Sequence, residues 1–184
     1  MELLVSKWFW DILKNADKSR SALYDQLSNF GKEQLIRFYC EWRNAAVELA
    51  WCHELYVVLD DEKYLVDADE DGLEFSLWIV SLGYKHFLQA LGSSSFSQEY
   101  FSDFYNKTGL YLSNEWADDL VETSNSDIEP QYFAVTLYEE KFDDDLEDVC
   151  IDMINNGQFD GLIESLRDEE EFLKFEYDSN RAVR

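Results

Sequence analysis

Apolar side chains recur at helical spacing along most of this chain. The first predicted helix covers roughly residues 1–16, and a shorter second helix ends at Gly31. The third pattern is the longest, because two apolar rows run side by side through Leu35–Leu59 and place Trp42 at the centre of the core. Its charged residues are expected mostly on the outer face of this helix: Lys32, Glu33, Arg37, Glu41, Arg43 and Glu48.

The middle of the chain alternates between acidic or polar stretches and further helical patterns. Residues 60–71 are acidic and break the apolar period, so a loop is expected there. A fourth helix is predicted from Gly72 to Gly92. Short aromatic-rich elements are expected at 96–112. A helix capped by Ser113 and carrying Trp116 and Leu120 comes next, and residues 122–130 form a polar connection.

The last third of the chain contains one ambiguous segment. Residues 132–138, Tyr-Phe-Ala-Val-Thr-Leu-Tyr, fit either a helix or a short strand, because they are aromatic and β-branched but lie between helical patterns. An amphipathic helix follows at 142–153, and a final helix is predicted from Gly161 to about Tyr177. The patterns together predict a mainly all-α, compact, multi-helix single domain over 1–184, with an N-terminal helical core over about 1–92.

Charge separates the two halves of this predicted domain. The chain has 40 acidic and 15 basic residues among 184, a formal net charge of −25. Residues 1–92 carry 16 acidic and 9 basic residues, whereas 93–184 carry 24 and 6, so the C-terminal helical half holds most of the excess. Such a surface repels nucleic acid phosphates and anionic lipid, and it attracts basic proteins. We therefore expect a basic protein partner, with neither direct nucleic acid binding nor membrane binding.

The residues that usually carry chemistry are sparse or badly spaced. Cys40, Cys52 and Cys150 are predicted to be buried free thiols, and the only histidines, His53 and His86, form no zinc-binding spacing. The segment 67–72 resembles the opening of a calcium loop, but Trp78 stands where the bidentate carboxylate is required. No metal, cofactor or catalytic residue is predicted, and we expect a binding protein rather than an enzyme.

The N-terminus gives an expectation about location. It lacks a basic segment and a small-residue cleavage site, so no signal peptide is predicted. No apolar stretch approaches the roughly 20 residues that a membrane-spanning helix needs. With three expected free thiols, this pattern predicts a cytoplasmic protein.

Acidic clusters are the strongest functional signal in the C-terminal half. If 142–153 is one helix, Asp143, Asp144, Glu147, Asp148 and Asp152 share the face opposite its apolar stripe, without interleaved basic residues. A solvated face is the usual explanation of a single charge run, but several clusters together favour a partner-binding surface. The remaining predicted partner-binding residues are Asp118, Asp119, Glu139 and Glu140.

Three blocks of sequence resemble a bacterial family described only as a helical domain of unknown function. They are the aromatic start Phe9–Leu13, the central Phe38 of a long helix, and the acidic turn leading into an aromatic helix over Asp69–Gly83. The resemblance covers about residues 9–91 and implies an all-helical fold without known active residues. In overall character the chain also resembles acidic immunity proteins that neutralise bacterial polymorphic toxins.

The leading hypothesis is therefore an immunity-type inhibitor that covers the basic active cleft of a toxin effector, plausibly a nuclease. An alternative is a nucleic-acid-mimicking inhibitor of a DNA-binding protein. A carboxylate-based hydrolase with an aromatic cleft is a third hypothesis from a different class.

Overall fold

The structure is a computed structural model that describes residues 2–59, 61–108, 116, 129–159, 161–162 and 172–176. Within these residues the chain is mainly helical, as predicted. The helices are α1 (Lys7–Ala16), α2 (Arg20–Ser28), α3 (Lys32–Cys52), α4 (Asp71–Ser81), α5 (Tyr84–Gly92), α6 (Ser94–Thr108), α7 (Phe133–Phe142) and α8 (Leu146–Asn155). The strands are β1 (Glu2–Ser6), β2 (Tyr56–Leu59), β3 (Glu62–Leu65) and β4 (Phe172–Glu176). Strand β1 pairs with β4, and β2 pairs antiparallel with β3.

The chain divides into two compact units, and both draw on both halves of the sequence. Unit 1 comprises Met1–Leu3, Asn44–Glu115 and Lys174–Arg184; unit 2 comprises Leu4–Arg43 and Trp116–Leu173. No helix among the described residues has the length and apolar character that crossing a membrane requires.

Unit 2 has an aromatic core built from α1 and the first part of α3. Ser6 caps α1, since its hydroxyl accepts the Phe9 N–H at 3.1 Å. The rings of Phe9, Phe38 and Trp42 lie 5.4 to 5.9 Å apart and are fully buried. The predicted central position of Trp42 is confirmed. The helix begins at Lys7 rather than near residue 1, because residues 2–6 form β1.

Helices α7 and α8 pack in the same unit. Tyr24 of α2 contacts Phe133 of α7, with ring centroids 5.6 Å apart. Lys141 donates hydrogen bonds to the carbonyl oxygens of Ser28 and Phe30, at 2.6 and 3.0 Å. The ambiguous segment 132–138 is therefore helical from Phe133 onward, and its aromatic side chains face the core of unit 2 rather than a sheet.

Unit 1 contains α4, α5, α6 and the β2–β3 hairpin. The predicted single helix from Gly72 to Gly92 is two helices, because Gly83 adopts a φ of 94° that ends α4 and begins α5. The expected short elements at 96–112 are a single helix to residue 108, and Phe101 of this helix packs edge-on against Phe75 at 5.3 Å.

Strands explain the other wrong predictions. Helix α3 ends at Cys52 and Tyr56–Leu59 is a strand, although its apolar residues continue the helical spacing. The expected loop at 60–71 contains β3, and the expected final helix contains β4 at Phe172–Glu176. The predicted helix capped by Ser113 and the polar connection lie outside the described residues, apart from Trp116, which is buried in a bend, and residues 129–130.

Candidate functional site

The run Asp143-Asp144-Asp145 is a turn between two helices. Asp143 ends α7 in the left-handed conformation, with φ 52°, which aspartate tolerates better than most residues. Asp145 caps α8, and its carboxylate accepts the N–H groups of Glu147 and Asp148 at 2.8 and 3.1 Å. The prediction that Asp143 and Asp144 lie on the outer face of a continuous helix is therefore wrong.

Asp144 has a basic partner within unit 2. Its carboxylate lies 3.2 Å from the Lys32 ammonium group and accepts the Tyr138 hydroxyl at 3.2 Å. The lysine lowers the pKa of Asp144, and its own pKa is raised by Tyr138 and Asp144. Lys32 also lies 5.3 Å from the Tyr138 ring centroid. Asp144 therefore has a counter-ion from α3, although no basic residue is interleaved in the acidic run itself.

Glu147 holds α8 against α3. Its carboxylate accepts the hydroxyl of the buried Tyr39 at 2.7 Å. Burial raises the pKa of Tyr39, and the hydrogen bond to Glu147 raises it further. The thiols of Cys40 and Cys150 meet at the same junction, and this contact together with burial raises the pKa of Cys40. Glu147 is half-buried, and its carboxylate joins the two helices through this hydrogen bond.

Asp148 and Asp152 remain on the exposed face of α8. Ile151 lies three positions after Asp148 and one before Asp152, and 39% of its surface is exposed; Ile154, one turn further, is 38% exposed. Glu139, Glu140 and Asp143 are exposed at the end of α7. Asp118 and Asp119, also predicted to bind a partner, lie outside the described residues.

These carboxylates carry a strong negative charge at the end of α7 and along α8. Residues 139–152 contain eight acidic residues and one basic residue, Lys141. That lysine points to backbone carbonyls of α2 and the residues after it. Glu139 and Glu140 lie in the last helical turn, where the helix dipole already favours positive charge. The negative end of the helix dipole therefore interacts unfavourably with these two carboxylates. A basic partner would offset that unfavourable interaction.

Sequence reasoning missed a buried charge cluster in α3. Glu41 and Arg37, expected on the outer face, are 4% and 9% exposed. Glu41 accepts hydrogen bonds from the Ser6 hydroxyl at 2.6 Å, the Ser6 N–H at 3.1 Å and the Arg37 Nε–H at 2.8 Å. The guanidinium lies 4.2 Å from the Trp8 ring centroid. The signal that could have identified this pair is its i,i+4 spacing inside an apolar helix.

The buried cluster shows the electrostatics of a structural pair. Burial raises the pKa of Glu41, although its hydrogen bonds with Ser6 and its pairing with Arg37 act in the opposite direction. Both carboxylate oxygens are occupied, and Glu41 does not line either of the two cavities described below. The arrangement stabilises the fold and offers no open position for a substrate.

Each unit has a cavity that opens onto the surface among the described residues. The unit 2 cavity, about 500 Å³, is lined by Lys7, Trp8, Asp11, Ile12, Asn15, Gln26 and Phe30. The unit 1 cavity, about 330 Å³, lies among the end of α3, the end of β3 and the start of α4. Its lining residues are Ala50, Trp51, His53, Glu54, Leu55, Leu65, Val66, Asp67, Ala68 and Gly72.

The segment that resembles a calcium loop forms a turn into α4. Asp67 accepts the Asp69 N–H on its carboxylate and the Gly72 N–H on its carbonyl, each at 2.9 Å. A Cβ atom on Gly72 would lie only 2.9 Å from that carbonyl oxygen, which accounts for the glycine. Within the described ranges, no three His, Cys, Asp or Glu side chains are placed to hold a metal ion.

The cysteines and histidines have structural surroundings. All three cysteines are buried free thiols, as predicted. Helix α3 ends between Cys52 and His53, and both side chains approach the end of α5. The His53 Nε2 lies 2.8 Å from the Ala90 carbonyl oxygen, and the Cys52 thiol donates to the Leu91 carbonyl at 3.6 Å. His86 is half-buried, 3.2 Å from the Leu82 carbonyl.

Comparison with known proteins adds no functional assignment to these surfaces. The sequence matches no protein-family model. No curated protein and no solved structure is significantly similar to it. The resemblance to the bacterial helical family stays a prediction.

Proposed function

We propose that this chain binds a basic protein through the exposed face of α8 and the last turn of α7. The observation that carries the proposal is the grouping of exposed Asp148 and Asp152 around exposed Ile151. Protein interfaces commonly combine an apolar centre with a polar rim that excludes water. Ile151 and Ile154 would supply the apolar centre, and the carboxylates would pair with lysine or arginine.

The internal roles of the other acids sharpen this proposal. Asp144, Asp145 and Glu147 are used by the fold, as an ion pair, a helix cap and a contact between helices. Asp148 and Asp152 lie one turn apart on one helix, where two like charges repel each other. The fold gains little from this pair, so binding is the better explanation of its presence.

An immunity-type inhibitor is the class of protein that we propose. Enzymes that act on nucleic acid have basic clefts that bind phosphate, and a rigid acidic helix can cover such a cleft. Long-range attraction also speeds association, which matters for an inhibitor that must act before its toxin does. A toxin effector with nuclease activity is therefore the partner that fits best.

Affinity purification from the native host with three matched baits tests this proposal. The baits are the wild-type chain, the double variant Asp148→Asn/Asp152→Asn, and a control with the same charge change at exposed acids of α2 and α3, Asp25→Asn/Glu33→Gln. We expect mass spectrometry to identify one basic protein with wild type and control, at clearly lower yield with the α8 variant. A basic protein recovered equally by all three baits would exclude the α8 face. Recovery of a DNA-binding protein without toxic activity would support the nucleic-acid mimic instead.

A further inference from the structure

Unit 1 exposes apolar side chains at the β2–β3 hairpin. Trp51 is 52% exposed, and Val58, Tyr64 and Leu65 are 68%, 48% and 62% exposed. Leu65 and Trp51 also line the 330 Å³ cavity. Four of the six large apolar side chains that are exposed among the described residues therefore lie within a short stretch of this unit. Grouped exposure of this kind marks binding surfaces more often than scattered exposure does.

The register of the hairpin shows which backbone groups point outward. Tyr56 lies opposite Leu65, and Leu55 accepts the Val66 N–H at 2.9 Å in the adjoining pair. Hydrogen-bonded and non-hydrogen-bonded pairs alternate in an antiparallel ladder. The N–H and C=O groups of Tyr56, Lys63 and Leu65 therefore point away from the partner strand.

The two outer edges of this hairpin differ. On β2, the Gln98 side chain accepts the Tyr56 N–H at 2.9 Å and donates to the Tyr56 carbonyl at 2.8 Å. On β3, the described part of the chain supplies no hydrogen bond to the outward groups of Lys63 and Leu65. An edge with exposed apolar side chains and open backbone groups is a template for a further strand.

Charge around this edge specifies what kind of strand fits. Residues 54–74 contain nine acidic residues and one basic residue, Lys63, whose ammonium group lies 3.6 Å from the Tyr56 ring centroid. Glu54 and Asp67 line the cavity itself. A second copy of this chain would bring acid against acid, so pairing between copies is opposed. A segment that carries lysine or arginine is favoured.

We propose that β3 accepts an added strand from a partner protein, an extended segment of alternating apolar and basic residues. Outward backbone groups of Lys63 and Leu65 bind the backbone of the segment. An apolar side chain enters the cavity beside Trp51 and Leu65. The basic side chains lie on the opposite face of the segment, on the side of the hairpin that carries Glu62. This surface belongs to unit 1, and the proposal does not rest on the α8 surface of unit 2.

The test uses the full chain and a nine-residue peptide of alternating lysine and valine as the probe. A second peptide has the same charge but carries N-methyl groups on the backbone amides that would donate to β3. We expect the unmodified peptide to bind and to slow hydrogen exchange over residues 61–67. N-methylation should weaken binding about tenfold, because it removes backbone hydrogen bonds and leaves the charge unchanged. Equal affinity of the two peptides would show that binding depends on charge and not on backbone hydrogen bonds, and it would overturn the proposal.

Variants of the chain locate the site independently. Leu65→Pro removes an outward N–H, and proline is tolerated at that kind of edge position. Trp51→Ala leaves the strand intact and removes one wall of the cavity. Both should weaken peptide binding about tenfold, whereas Ile151→Ser on α8 should leave it unchanged.

Loss of binding only in the α8 variant would overturn the proposal and leave the proposed function standing. Self-association of the free chain that Leu65→Pro abolishes would identify a second copy as the occupant instead. If hydrogen exchange at the Leu65 amide were already slow in the free chain, another part of the same chain would cover the edge of β3. That result would also overturn the proposal.

Discussion

Helices α3 and α8 both carry charged residues within apolar patterns, yet they use them in opposite ways. On α3, Glu41 and Arg37 are buried, and both carboxylate oxygens of Glu41 accept hydrogen bonds inside unit 2. On α8, Asp148 and Asp152 are exposed one turn apart. An acid in this chain is structural where basic or hydroxyl donors surround it. Where such donors are lacking, the carboxylate adds to the negative electrostatic potential at the surface that a partner would contact.

The largest expected effect comes from breaking the buried cluster. Replacing Glu41 with Ala leaves Arg37 and the Ser6 N–H in a buried site without their acceptor, which should cost about 3 to 5 kcal/mol of unfolding free energy. Urea denaturation followed by circular dichroism measures this loss. Glu33→Ala, at the exposed start of the same helix, is the control and should cost only a few tenths of a kcal/mol. Equal losses in the two variants would contradict the distinction between buried and exposed acids.

Apolar periodicity was sufficient to predict the helical class of the chain, the burial of Trp42 and the second helix. It could not separate helix from strand at Tyr56–Leu59, because a short apolar run satisfies both periods. It also placed Glu41 on the surface, since residue type alone does not reveal that Ser6 and Arg37 satisfy its carboxylate. Ser6 lies in β1 and Arg37 in α3, and sequence spacing reveals only the pairing with Arg37.

The candidate surface was predicted less completely than the fold. Exposure of Asp148 and Asp152 followed from their position opposite the apolar stripe. The placement of Asp143 and Asp144 on a helix face was wrong, because the left-handed conformation of Asp143 and the helix cap at Asp145 interrupt a pattern that resembles one continuous helix. The contact of Glu147 with Tyr39 joins residues 108 positions apart, a separation at which periodicity carries no information.

A smaller effect is expected at the cap of α8. Asp145→Ala removes the acceptor of two backbone N–H groups and should cost about 1 kcal/mol of unfolding free energy. Asp145→Asn keeps an oxygen acceptor and should recover most of that loss. Thermal melting of the two variants distinguishes a capping hydrogen bond from a purely electrostatic interaction between the carboxylate and the helix dipole. If Asn and Ala destabilised the chain equally, the capping role would be wrong.

The smallest effect on stability is expected at the exposed face. In Asp148→Asn/Asp152→Asn, loss of the favourable interaction of Asp148 with the helix dipole is offset by relief of repulsion between the two charges. The melting temperature should therefore change by less than about 2 °C. A much larger fall would show that these acids have a structural role and belong with Glu41 rather than with a binding surface.

The central claim is that the exposed acids of α8 act in binding, and association kinetics test it most directly. Surface plasmon resonance with the basic partner recovered by affinity purification compares wild type, Asp148→Asn/Asp152→Asn and the Asp25→Asn/Glu33→Gln control at two salt concentrations. We predict a slower on-rate and a weaker salt dependence for the α8 variant, and a faster off-rate if the charges are buried against lysine or arginine. The control should match wild type more closely. Rates of the α8 variant that equal those of wild type at both salt concentrations would contradict the account.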